Sequence, residues 1–195
     1  MTIQTKEIIT ARAKTLFALN GYGGFTMRVL AKESGVGLSS IYHFFEDKDV
    51  LLKDIFDKVN TRLGAERAKL PNRRTASSML KDRIIFQFTH IEDVIFVLKY
   101  YMHFRKDFLK LESGYIPSKA YLHAEEVLRF GVVNGEFEFK DSEINQEAKV
   151  IAHAVNGFLL EYYPETLTRP ELKQVVTTIH RFLMRSLTNK KVTMS

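Results

Sequence analysis

The chain has 195 residues, 45% apolar and 27% charged, an ordinary globular composition with room for one or two domains. It holds no run of about eighteen or more apolar residues, which excludes a helical membrane span, and no cysteine, which excludes disulfides, thiolate metal sites and cysteine nucleophiles. Lysine and arginine outnumber aspartate and glutamate by 29 to 23, a formal net charge of +6 that favours polyanionic partners without naming one. The opening residues Met1 to Glu7 carry no apolar stretch, so no signal peptide is expected and a cytoplasmic location is.

Apolar residues recur every three to four positions along nearly the whole chain, the period of helices. The first helix is expected over Lys6–Asn20, with Ile9, Ala13, Leu16 and Phe17 buried and Gly21 as a left-handed cap. A glycine-rich loop through Phe25 follows. Thr26 is placed to N-cap a helix over Met27–Ser34, because its hydroxyl can accept a backbone N–H of the next turn. Gly35-Val36-Gly37 breaks the chain before a short helix, Leu38–Phe45. Asp47 caps the next, whose apolar side is Val50, Leu51, Ile55, Val59 and Leu63. The polar, proline-broken stretch 70–74 marks a domain boundary. Further helices are expected over Ser78–Ile91, Val94–Leu111, Pro117–Val133, Ser142–Tyr162 and Arg169–Leu187. Thr168 and Glu171 form a capping box before the last, and residues 189–195 form a fraying tail.

Thr26 to Lys48 is the segment most indicative of function. Two short helices across a glycine turn have the helix-turn-helix layout. Val29, Leu30, Val36, Ile41, Phe44 and Phe45 are the apolar positions that hold such a crossing, and Ala31 is small enough to allow it. Leu38, Ser39, Ser40, Tyr42 and His43 then face outward, where they could meet base edges or phosphates in a major groove. The helix start at Thr26 offers unpaired N–H groups and a positive dipole end to a phosphate. Lys48 opens the following helix and can reach the backbone across the groove. Arg28 suits either a guanine or a phosphate.

Residues Ala11 to Leu52 resemble the N-terminal domain of the tetracycline-repressor (TetR) family of bacterial regulators. The likeness rests on Ala13, Leu16, Phe17, the glycines before Phe25-Thr26, Leu30-Ala31, Ser34-Gly35-Val36, Ile41-Tyr42-His43-Phe44-Phe45, and Lys48 with Leu51-Leu52. It implies that Thr26, Tyr42 and Lys48 contact operator phosphates, with Arg28, Leu38, Ser39, Ser40 and His43 nearest the bases. Gly37-Leu38 departs from the polar residues frequent at the start of the reading helix. DNA shape is therefore expected to carry more of the preference.

The last two expected helices have wide apolar arcs, with Ile151, Val155 and Phe158 on one and Val175, Ile179 and Phe182 on the other. Such breadth fits a two-fold four-helix dimer interface, which the resemblance also implies. A dimer would set its two reading helices one DNA turn apart, about 34–36 Å. The middle of the chain is dense in aromatics, from Phe86 to Phe130 and including Phe108 and Tyr115. An apolar or aromatic effector is expected there, contacting His90, Phe96, Tyr100, His103, Phe104, Tyr121, Asn156 or Tyr162.

No catalytic motif, metal-binding set or cofactor fingerprint is present. The expectation is therefore an all-α regulator rather than an enzyme, with no cofactor and no metal. Residues 1–48 form the helix-turn-helix DNA-binding domain and 48–70 a connecting helix. Residues 71–188 form the effector-binding and dimerisation domain. Its partners would be double-stranded operator DNA, a second copy of itself and a small molecule. The alternative is a helical small-molecule-binding or adaptor protein without DNA binding.

Overall fold

A computed structural model describes residues 3–71, 75–110 and 120–188 of the chain. Within them every regular element is a helix: α1 (Ile3–Gly24), α2 (Met27–Ser34), α3 (Leu38–Phe44), α4 (Lys48–Arg67), α5 (Ala76–Thr89), α6 (Ile91–Lys110), α7 (Ala120–Val133), α8 (Asp141–Tyr162) and α9 (Arg169–Thr188). The fold is all-α, as the periodicity predicts, and no described helix is long and apolar enough to cross a membrane. The boundary residues 72–74, Tyr115, the expected helix start at Pro117, the 189–195 tail and the side chain of Phe108 lie outside the described residues.

Local chemistry accounts for the helix ends. Thr26 has extended backbone and its Oγ1 accepts the Val29 N–H at 3.1 Å. Gly35 closes α2 in the left-handed region, at φ 68° and ψ 14°. Asp47 Oδ1 accepts the N–H groups of Asp49 and Val50, both at 2.8 Å, and starts α4. Glu171 reaches back to the Thr168 N–H at 2.8 Å and its hydroxyl at 2.7 Å, and these two bonds hold its carboxyl below the usual range. Gly21 departs from the expected cap. Its φ is 66° but its ψ is −173°, so the chain kinks there at a positive φ that glycine tolerates, and one more helical turn carries α1 to Gly24.

The chain divides into two compact units. One comprises α1–α4 with α6 from Glu92 on, and the other comprises α5 with α7–α9. The boundary expected at residue 71 would put α6 in the second domain, whereas α6 from Glu92 on groups with α1–α4. In the first unit Phe17 packs edge-on against Phe25 and Phe96, and Phe56 stacks on Tyr100 with ring centroids 4.4 Å apart. Polar groups tie α6 to α1 in matching order. Glu92 accepts from Thr15 at 2.9 Å and Asp93 from Lys14 at 2.6 Å, while Lys99 donates to the carbonyls of Ala18 and Leu19. Since Lys14 and Thr15 meet Asp93 and Glu92 while Ala18 and Leu19 meet Lys99, α1 and α6 run in the same direction. Asp93 also pairs with Arg62 of α4 and is itself 6% exposed.

In the second unit α5 lies against α7, α8 and α9, and α7 and α8 form the most extensive pair. The Gly131 carbonyl accepts from Glu136 N–H at 2.7 Å and Phe137 N–H at 3.2 Å, which turns the chain after α7. His180 on α9 bonds the Ser77 carbonyl at 2.9 Å, and the Glu136 carboxylate accepts the Ala76 N–H at 2.7 Å.

The six expected interface residues separate here. Ile151, Val155 and Ile179 are at most 4% exposed, buried within this unit's own core. They cannot form a surface seam. Val175 is half-buried, whereas Phe158 and Phe182 are 38% and 63% exposed. The wide arc thus combines one inward stripe on α8 (Ile144, Ala148, Ile151, Val155 and Leu159) with neighbours that point away from it.

Candidate nucleic-acid interface

The site rests on α2 and α3, which are too short to be stable alone. Leu30 and Ile41 are fully buried, and Phe45 at the end of α3 is 2% exposed. These residues anchor both helices to the α1–α4 core. Val36 and Phe44 are half-buried. Val29 is 38% exposed, so it does not share in the crossing as expected, because Thr26 starts the helix in a register that turns Leu30 inward instead.

With Ile41 turned in, α3 presents Ser39, Tyr42 and His43 to solvent, while Leu38 and Ser40 are half-buried beside them. Tyr42 is 50% exposed. The group forms a narrow edge of short or hydrogen-bonding side chains, small enough to enter a major groove. Arg28 and Thr26 are exposed at the start of α2. There the Thr26 hydroxyl caps one amide, and the N–H groups of Met27 and Arg28 have no acceptor within the helix.

Lys48 is half-buried and already engaged. Its ammonium donates to the carbonyls of Tyr22 at 3.3 Å and Phe25 at 3.4 Å, and lies 3.6 Å from the centre of the Tyr22 ring. Tyr22 in turn donates to Asp49 at 2.7 Å. Burial, that hydrogen bond and the charges of Asp49 and Asp47 push its phenol up to about 12, so it is a neutral donor at physiological pH. Sequence reasoning missed Tyr22. The available signal was an aromatic residue embedded in glycines, where an exposed ring would have no purpose without a partner.

The eight expected effector residues divide between the two units. Phe96 and Tyr100 are core residues of the first unit. Burial, then the charges of Asp57, Asp49 and Asp107, push the Tyr100 phenol up to about 12. His103 is exposed and stacks on Tyr22, and Phe104 packs edge-on to the same ring. The remaining four lie in the second unit. His90 follows α5 with its ring 4.5 Å from Phe86, Tyr162 lies 6.1 Å from Phe88, and Tyr121 has the Lys149 ammonium 5.5 Å from its ring. Asn156 is half-buried on α8. Among the described residues no group of three His, Cys, Asp or Glu side chains is arranged to hold a metal.

Residues 9–55 match the family described as bacterial regulatory proteins, tetR family. An uncharacterised HTH-type transcriptional regulator of Bacillus subtilis, YhgD, is 39% identical over 56 residues, which is 29% of this chain and 29% of that protein. The likeness to this curated relative thus spans under a third of its length. Among solved structures, the TetR family regulator PfmR of Thermus thermophilus superposes with a TM-score of 0.71 at 19% identity, over 91% of this chain and 97% of the other. A TetR-like regulator from Rhodococcus superposes at 0.72 and 11% identity, over 97% and 99%. These two likenesses speak to the fold.

Proposed function

Given that the chain belongs to the TetR family of bacterial regulatory proteins, we propose that it is a ligand-responsive transcriptional regulator that binds operator DNA as a homodimer and acts as a repressor. The observation that carries this reading is the exposed edge Ser39–Tyr42–His43 of α3, which follows the Thr26-capped helix α2 across the turn Gly35–Gly37. Ser39 and His43 meet bases, while Tyr42 and the helix start meet phosphates.

Dimerisation uses the outward residues of α8 and α9, led by Phe158 and Phe182, with Val150 at 52% exposure on the same helix as Phe158. Large apolar side chains this exposed are a reason for a partner surface. The effector is a small apolar or aromatic molecule held in the α5, α7–α9 unit near His90, Tyr121, Asn156 and Tyr162. It releases the operator by binding better to a dimer whose reading helices no longer match one DNA turn.

The test is a duplex recovered from random-sequence DNA by selection on the wild-type protein. Tyr42→Ala combined with Lys48→Ala is expected to weaken binding by at least about a hundredfold, since each protomer loses two phosphate contacts. The loss should be similar for the selected duplex and for unrelated DNA. The salt slope should fall by about one for each lysine–phosphate contact removed. Unchanged affinity and slope would refute the phosphate assignment. A wild-type protein that binds no duplex would favour the carrier or adaptor reading instead.

A further inference from the structure

Tyr22 is held from every side. The His103 ring of α6 stacks on it with centroids 3.6 Å apart and planes 12° from parallel. The Lys48 ammonium lies 3.6 Å from the same ring centre. Two groups so close to one centroid cannot share a face, so His103 and Lys48 occupy opposite sides of the tyrosine. Phe104 meets the ring edge-on at 5.8 Å, and the hydroxyl is anchored to Asp49. The Lys48 ammonium is attracted by the electron-rich ring face and is steered to the carbonyl of Phe25, the residue before the Thr26 cap. The cation therefore stands beside the start of α2.

We propose that His103 is a positioning residue for DNA binding. By backing the Tyr22 ring it holds the Lys48 ammonium beside the α2 N-terminus, so that one phosphate meets the cation and the helix amides together. A lysine without this support samples many rotamers and loses part of its contact to their entropy. The proposal rests on the DNA-binding reading of α2 and α3. It adds that the phosphate contact depends on α6, a helix outside the helix-turn-helix. What matters is an aromatic face behind Tyr22, so phenylalanine should substitute for histidine. Because His103 is exposed, its replacement leaves the core intact.

The experiment compares His103→Ala and His103→Phe in the full chain, with and without Lys48→Ala. Operator affinity is read across a salt series on the selected duplex. H103A is expected to weaken binding about tenfold and to lower the salt slope by about one per protomer, while H103F restores both. In the Lys48→Ala background H103A should have no further effect, since the two act through one contact. A DNA-free readout is the NMR shift of the Lys48 side chain. The Tyr22 ring current should displace it in the wild type and in H103F, and it should return toward the free-lysine position in H103A. Slopes unchanged by H103A, losses that simply add to those of Lys48→Ala, or an unmoved lysine shift would each overturn the proposal. If the wild-type protein binds no duplex, the DNA reading itself fails, and the proposal with it.

Discussion

Replacing Gly131 by alanine is expected to remove about 3 kcal/mol from the stability of the α5, α7–α9 unit, at the upper end of the usual overpacking cost. A Cβ at this position would lie 2.2 and 2.4 Å from two carbons of the Phe137 ring and 3.0 Å from the Ala76 Cβ. Phe137 is 4% exposed and Ala76 is fully buried, so neither can swing into solvent. Helix propensity alone would favour alanine by about 1 kcal/mol, and the clash must outweigh that gain. The same glycine carbonyl accepts the two N–H groups that turn the chain toward α8, so a backbone shift to relieve the clash would disturb the turn. Urea unfolding followed by circular dichroism measures the loss. In a Phe137→Ala background the cost of G131A should nearly vanish, because the ring it strikes is gone. A loss below about 1 kcal/mol in the otherwise native chain would mean that the Phe137 ring does not cover Gly131 this closely.

Asp93→Ala is expected to destabilise the first unit by about 3 kcal/mol, the lower end of the range for breaking a buried ion pair. The carboxylate is almost fully buried and takes charge-assisted hydrogen bonds from Lys14 and Arg62. The lower end applies because the side chains of Lys14 and Arg62 are 21% and 52% exposed and can rehydrate when abandoned. Removing the whole cluster at once, as Lys14→Met, Arg62→Leu and Asp93→Leu together, should cost much less than the single change, because the charge left without its partner, Glu92, is 37% exposed and hydrated. The triple variant also cuts the polar ties among α1, α4 and α6, so operator affinity should drop even where stability is recovered. Equal stability losses for the single and triple variants would contradict this account of the cluster.

Local chemistry was legible in the sequence wherever it acts over a few residues. Thr26 and Asp47 cap the helices they were expected to cap, and Gly35 ends α2, because each effect is decided within one turn of the chain. Burial of Leu30, Ile41 and Phe45 followed from the 3.6-residue period. Partners distant in sequence were not legible. Phe96 and Tyr100 read equally well as a ligand pocket or as core, and only the packing of α6 on Phe17 and Phe56 decides between them. Lys48 reads as able to reach a phosphate, but nothing near it in sequence shows that Tyr22, twenty-six residues earlier, holds its ammonium. On α8 and α9 the period shows that there is an apolar arc but not which residues face the unit's own core. Ile151, Val155 and Ile179 turned inward, and Phe158 and Phe182 outward.

The most direct test of the proposed DNA-reading edge is guanine methylation interference on the selected duplex. Methylation at guanine N7 blocks the major groove without touching the phosphates. Two interfering patches are predicted, related by two-fold symmetry and centred one helical turn apart, about 10–10.5 base pairs. The patches should fade when Ser39, Ser40 and His43 are replaced together by alanine. Interference that is absent, or that appears in a single patch indifferent to those three residues, would contradict an α3 that enters the groove.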